Sequence, residues 1–91
     1  MNKVEIFQNC KNKLGEGIIW SQDTNSLYWL DIPMPSKLYQ YSFNTNKLQI
    51  FEMPEMITAM AERDSKNLLI ASHYGINNFN IETNKFNQLL T

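Results

Sequence analysis

Cysteine, charge of one sign, long apolar runs and helical periodicity are all scarce in this 91-residue chain, and each absence removes a class of protein. Cys10 is the single cysteine, so no disulfide can form within the chain, and that usage suits a reducing compartment. Eight Lys and Arg stand against nine Asp and Glu, a net charge of −1. Without a basic field there is no counterion release to drive binding to a phosphate backbone, and nucleic acid is not an expected partner. The longest apolar runs, such as Leu68-Leu69-Ile70-Ala71, fall far short of the roughly 20 residues that cross a bilayer as a helix. Met1-Asn2-Lys3-Val4-Glu5 also lacks the apolar h-region of a signal peptide, so no membrane association is expected and the cytoplasm is the expected location. What is present, 43% hydrophobic and 19% charged residues, is the composition of a chain that folds. At this length it is one small domain at most, too short for a large self-contained enzyme.

In place of apolar residues at three- and four-residue spacing, the chain alternates at strand spacing between clusters of turn residues. Val4 and Ile6 alternate with Glu5 and Gln8, which predicts a short strand over 3–8. Gly17-Ile18-Ile19-Trp20 reads as a buried strand, Ser21 to Ser26 as a turn, and Leu27 to Ile32 as a central strand stopped by Pro33-Met34-Pro35. Leu38, Tyr39 and Tyr41 make a further strand, Asn44-Thr45-Asn46 turns, and Leu48, Ile50 and Phe51 make the next before Pro54. The same order then recurs: Ile57 to Ala61, a polar turn over Glu62 to Asn67, Leu68 to Ser72, Gly75 to Phe79, and Lys85 to Leu90.

Phe43-Asn44-Thr45-Asn46-Lys47-Leu48 aligns with Ile81-Glu82-Thr83-Asn84-Lys85-Phe86 at a spacing of 38, and Leu27 aligns with Leu68 at 41. Four antiparallel strands in about 40 to 45 residues is the repeat of a β-propeller blade. The expected fold is therefore all-β: two four-stranded antiparallel blades, over about 15–53 and 56–91, preceded by one N-terminal strand.

Leu14-Gly15-Glu16-Gly17-Ile18-Ile19-Trp20 followed by Leu27-Tyr28-Trp29-Leu30-Asp31-Ile32-Pro33 resembles the opening of the senescence-marker-protein/gluconolactonase/luciferin-regenerating-enzyme-like family, the regucalcin-like lactonases. The likeness continues through Lys37-Leu38-Tyr39-Gln40-Tyr41 and into the second repeat. It implies a segment of a six-bladed propeller with a divalent metal in its central channel, and hydrolysis of sugar lactones or related cyclic esters. The family usually has proline where this chain has Ile18, a departure that leaves Glu16 in place. The other metal ligands and the main substrate contacts of that family come from later blades, and none is carried over here.

Glu16 is the one candidate metal ligand. Set just before the innermost strand of a blade, it can point at the propeller axis, with Gly15 and Gly17 leaving the channel wall bare of side chains. A carboxylate suits Ca²⁺, Mg²⁺ or Mn²⁺ and is acceptable to Zn²⁺. On the bare sequence an acid between two glycines is more often a loop residue than a ligand; the resemblance is what favours the metal. Asp31 and His73 fall near matching ends of the second strands of the two repeats, so either can face the channel mouth. Asp31 reads more simply as an acid capping the Pro33-Met34-Pro35 turn. His73 has neither the His or Cys neighbours of a zinc site nor the Ser or Cys elbow of a catalytic dyad. The aromatic residues, Trp20 to Phe86, read as filling between blades rather than as a sugar-stacking platform. Lys11-Asn12-Lys13 is too sparse for a basic patch, and the abundant asparagine serves turns.

Two blades alone leave apolar faces open to self-association. The expected function is thus the N-terminal segment of a metal-dependent sugar lactone hydrolase, inactive by itself, with residues 3–8 as the strand that closes the ring. One alternative is a binding module whose three copies close a six-bladed ring, bringing three Glu16 carboxylates to the axis. The ninth strand, left without a blade to finish, argues against it. Another alternative is a non-catalytic calcium-binding propeller of the same family.

Overall fold

Alternation at period two becomes two antiparallel sheets. The computed structural model describes the backbone of residues 15–90 and the side chains from residue 17 on. The strand expected over 3–8, Cys10 and Lys11-Asn12-Lys13 lie outside the described residues. The first sheet has the order β1 (Gly15–Ser21), β2 (Ser26–Asp31), β3 (Lys37–Ser42) and β4 (Lys47–Glu52). The second has the order β5 (Ile57–Glu62), β6 (Asn67–Ser72), β7 (Gly75–Asn80) and β8 (Lys85–Leu90). Every neighbouring pair is antiparallel, and consecutive strands are joined by short turns. The described residues contain no helix.

The turns repeat as the strands do, and for a chemical reason. Thr45 N–H donates to Ser42 Oγ, and Thr83 N–H donates to Asn80 Oδ1, so the same side-chain-capped turn opens the last hairpin of both sheets. Asn25, Asn46 and Asn84 each stand immediately before a strand with φ of 51°, 56° and 65°. Asparagine tolerates that left-handed conformation better than other side chains do. The turn into β6 is built differently: Asp64 Oδ1 accepts the N–H groups of Lys66 and Asn67, both at 2.9 Å.

Because successive side chains point to opposite faces, each strand serves two layers. Tyr28, Leu30, Leu38, Phe51 and Met53 of the first sheet pack with Ile57, Leu68, Ile70 and Phe79 of the second in one buried cluster. Phe51 and Phe79 meet edge to face across it, with ring centroids 5.2 Å apart. On the far face of the first sheet, Leu27, Trp29, Tyr39 and Tyr41 form a second buried cluster in which Trp29 and Tyr39 stack at 5.3 Å. Trp20 departs from the expected filling role: it is 42% exposed, with its ring meeting Phe43 edge to face. The sheet backbones approach through β1 and β5. Toward the outer strands they separate, and a groove of about 580 Å³ opens beside Ile50, Met53, Phe79 and Phe86.

Ile57 is fully buried at the centre of the layer between the sheets. Ile57→Ala is expected to destabilise the chain by about 2–5 kcal/mol, whereas Leu48→Ala, at an exposed site of β4, changes stability by about 0.5 kcal/mol or less. Both described tryptophans, Trp20 and Trp29, lie in the first sheet, so urea unfolding followed by their fluorescence must shift when this residue of the second sheet is cut back. An unmoved fluorescence transition refutes the shared layer. The hydrogen bonds to Asp64 hold its carboxyl below the usual carboxylate value, led by the Lys66 N–H and then the Asn67 side chain. A depressed acid stabilises the fold above its unfolded-state value and loses that contribution as pH falls through its folded one. The amide resonances of Lys66 and Asn67, followed by NMR in acid, are therefore expected to move at a midpoint below that of a free aspartate, and Asp64→Ala is expected to abolish that titration.

Candidate functional site

Register places four chain segments at one end of the molecule. Gly15 pairs with Asp31, Asp31 with Lys37 and Lys37 with Glu52 in the first sheet, while Ile57 pairs with Ser72 and Ser72 with Gly75 in the second. The start of β1, the β2–β3 turn, the β4–β5 connection and the β6–β7 turn therefore share the end at which the inner strands begin. Ser36 ties two of these together, the β2–β3 turn and the β4–β5 connection. It is fully buried; its carbonyl accepts the Met53 N–H at 2.8 Å, its hydroxyl donates to the Ile32 carbonyl, and its Oγ accepts the Ile57 N–H at 3.3 Å. The His73 N–H donates to the Met56 carbonyl at 3.2 Å and attaches the β6–β7 turn to the β4–β5 connection.

Glu16 pairs with Leu30 at the start of β1, directly before a bulge in which Gly17 and Ile18 oppose Trp29. Gly17 has φ of 63°, a left-handed conformation that strains other side chains, so the backbone of the bulge calls for glycine; a Cβ there would meet Leu30 Cδ1 at 3.4 Å, an ordinary contact. Ile18 falls in the same bulge with its side chain 59% exposed, outside the regular ladder, at a place where proline is also tolerated. The Glu16 side chain lies outside the described residues.

Asp31 is the last residue of β2 and is buried, 7% exposed. His73 lies one residue beyond β6, exposed, with its ring edge against Tyr74 at 5.0 Å. The structure puts both at the expected end but does not gather them into a cluster. Among the described residues no three His, Cys, Asp or Glu side chains stand close enough to hold a metal ion. The phenol of Tyr28 is pushed above its usual value by burial first, with the nearby Thr24 hydroxyl opposing the shift and the negative charge of Glu62 adding to it. It accepts a hydrogen bond from Gln40 Nε2 at 3.0 Å and is a packed, neutral group rather than a base.

One arrangement at this end was not foreseen. The Ser72 hydroxyl donates to Glu55 Oε1. Ser72 Oγ in turn accepts from Asn77 Nδ2 at 3.0 Å, and Asn77, 1% exposed, spends its other amide hydrogen on the Ile70 carbonyl at 3.2 Å. Glu55 lines a groove of about 310 Å³ together with Met34, Met56, His73 and Tyr74. The available sequence signal was Asn77, a polar residue at a core position of an alternating strand.

A family model described as the SMP-30/Gluconolactonase/LRE-like region matches residues 14–91. The chain belongs to this family. It is 27% identical over 88 residues to L-arabinolactonase from Azospirillum brasilense, an alignment covering 93% of this chain and 28% of that protein. It also matches, with a TM-score of 0.76 and 22% identity, the crystal structure of regucalcin from Agrobacterium tumefaciens, described as a calcium-binding protein; 85% of this chain and 26% of that one are covered. The chain thus spans little more than a quarter of the length of these relatives. Its two sheets are blades of β-propeller type, as the repeat arithmetic and the family resemblance implied.

In this gluconolactonase-like scaffold Ser36 holds the loops at this end in shape. Ser36→Ala leaves the buried Ile57 N–H without its acceptor, and the expected loss is about 1–3 kcal/mol with faster amide exchange at Ile57. Unchanged stability and exchange in the variant refute that role.

Proposed function

We propose that the chain forms two adjacent blades of a sugar lactone hydrolase dependent on a divalent cation, with Glu16 as the ligand these blades contribute. The observation that carries this is the alignment with L-arabinolactonase over 93% of the chain. The bulge supports it: Gly17 fixes an irregular start to the inner strand beside Glu16, at the end where the connecting segments gather. Bulges of this kind commonly re-aim side chains at sites.

The donor type fits a hard cation, Ca²⁺, Mg²⁺ or Mn²⁺, and is acceptable to Zn²⁺. The donor number does not, since the described residues supply no further cluster, so in this reading the remaining ligands come from other blades. A cation bound there supplies a Lewis acid for the lactone carbonyl and a more acidic water. In this reading these blades supply one carboxylate, that of Glu16, from the start of the inner strand, the β2–β3, β4–β5 and β6–β7 segments line the same end, and Ser36 keeps that end in shape. By themselves they are expected to be inactive.

The way the two blades stack supports a ring. Asp31 pairs with Lys37 where Ser72 pairs with Gly75, so Leu69, Ala71 and Ile76 occupy the positions of Tyr28, Leu30 and Leu38. The latter three face the second sheet; the former three line an open shallow groove that suits another blade in the same sense. A head-to-tail trimer needs the opposite face of the first sheet free, yet Leu27, Trp29, Tyr39 and Tyr41 are all buried. We therefore favour further blades over further copies, residues 3–8 as the strand completing the closing blade, and the cytoplasm as the setting for the single thiol.

The test is hydrolysis of L-arabino-1,4-lactone by the complete protein carrying these blades, with and without a chelator. Activity is expected to vanish on chelation and return with a divalent cation, and Glu16→Gln to lower cation affinity by at least about tenfold. Cation-independent turnover, or an unimpaired Glu16→Gln variant, refutes the proposal.

A further inference from the structure

Glu55 is the one acid of the β4–β5 connection. It is half-buried, and its only hydrogen bond among the described residues is the one its Oε1 accepts from Ser72. Ser72 is itself fixed by the buried Asn77 amide, so a chain of hydrogen bonds that begins in the core ends by orienting one carboxylate at the surface. Oε2 accepts no hydrogen bond from the described residues. Beside it the Tyr74 side chain is 64% exposed and the Met34 side chain 51% exposed, on the far wall of the same groove of about 310 Å³.

A preset carboxylate beside an open aromatic ring selects among ligand classes. An anion is repelled by Glu55. A cation finds one carboxylate where hard cations take six or more oxygens, and no second acid stands close enough among the described residues. A neutral ring bearing adjacent hydroxyls satisfies both features: its O–H groups donate to the carboxylate, a charge-assisted bond, and its C–H face covers the aromatic ring. The size of the groove is that of a small-molecule site.

We propose that Glu55, held by Ser72 and flanked by Tyr74, is a hydroxyl-recognition subsite for the neutral sugar lactone at the mouth of the propeller. The proposal rests on the lactone hydrolase reading and names a determinant of its substrate choice. It also gives the site a direction, because hydrolysis turns the neutral lactone into an aldonate whose carboxylate Glu55 repels, favouring release of product over its retention.

The experiment is an NMR titration of the complete protein carrying these blades, ¹⁵N-labelled and held inactive by a chelator, with L-arabino-1,4-lactone, sodium L-arabinonate and glycerol, following the amides of Glu55, His73 and Tyr74. The lactone is expected to shift these resonances saturably, and the aldonate to bind at least about fivefold more weakly. Equal shifts with glycerol mean a nonspecific polyol effect and overturn the proposal. Glu55→Gln keeps the acceptor for Ser72 but loses the charge, and is expected to weaken lactone binding about tenfold, the scale of a hydrogen bond to a charged group. Tyr74→Ala, at an exposed position that the fold does not require, is the second variant, with a loss of at least about threefold expected. Lactone affinity unchanged in both variants overturns the subsite. The two readings fail separately: turnover that depends on Glu16 alongside unchanged binding in Glu55→Gln refutes the subsite alone, and Glu55-dependent binding with no turnover in the complete protein refutes the hydrolase reading alone.

Discussion

A four-stranded sheet with apolar side chains on both faces cannot stand by itself in water, and the layer between the two sheets is the constraint from which the rest follows. Leu30 and Leu38 from one side and Ile57, Leu68 and Ile70 from the other are buried almost completely. Burial of such side chains stabilises by about 1.5–3 kcal/mol each. The layer also positions the candidate site, because it brings β1 and β5 side by side and so sets where the inner strands begin. Ser36 then carries that alignment into the loops: one buried serine joins the β2–β3 turn to the β4–β5 connection through both its backbone and its hydroxyl.

The repeat is visible in polar contacts as well as apolar ones. Gln40 Nε2 donates to Ser26 Oγ at 3.4 Å in the first sheet, and Asn78 Nδ2 donates to Asn67 Oδ1 at 2.8 Å at the corresponding positions of the second. In the first sheet the pair is shut in the layer, and Gln40 also reaches Tyr28 Oη. In the second it lies on the open face, where Asn78 Oδ1 accepts from Arg63 Nη1. The same pair, covered in one blade and open in the next, marks the side on which stacking continues.

The fold was legible in the sequence because each of its signals is local. Alternation at Leu27–Ile32 and Leu68–Ser72, prolines after β2 and asparagines at matched turns all act within a few residues of where they are read. The 38-residue offset between Thr45 and Thr83 is the same offset that relates their hydrogen bonds to Ser42 and Asn80. The site was less legible. Glu16 stood out only beside two glycines, and the structural reason for one of them, the positive φ of Gly17 at a bulge, depends on a strand partner more than ten residues away. Glu55, Ser72 and Asn77 are separated along the chain and meet only because β6 pairs with β5 and β7. No spacing rule announces a contact made by sheet register.

That separation between local fold signals and nonlocal site contacts bears on how such a surface changes. The interior positions of each strand answer to the neighbouring blade, and a substitution there is felt across the whole layer. The turns at the mouth answer mainly to Ser36, to the His73 N–H on Met56 and to Ser72, so side chains such as Met34, Glu55 and Tyr74 can be exchanged while the backbone beneath them stays held. Asn77 is the point where the two regimes touch. It occupies a buried position that Tyr39 fills in the first sheet, with its amide hydrogens committed to Ile70 and to Ser72. A buried amide in place of an aromatic ring gives up apolar packing, and it is tolerated where its hydrogen bonds are satisfied. Here one of those bonds leads out of the core to the carboxylate at the mouth, so the polar exception in the packing and the charged group at the site are parts of one connected structure.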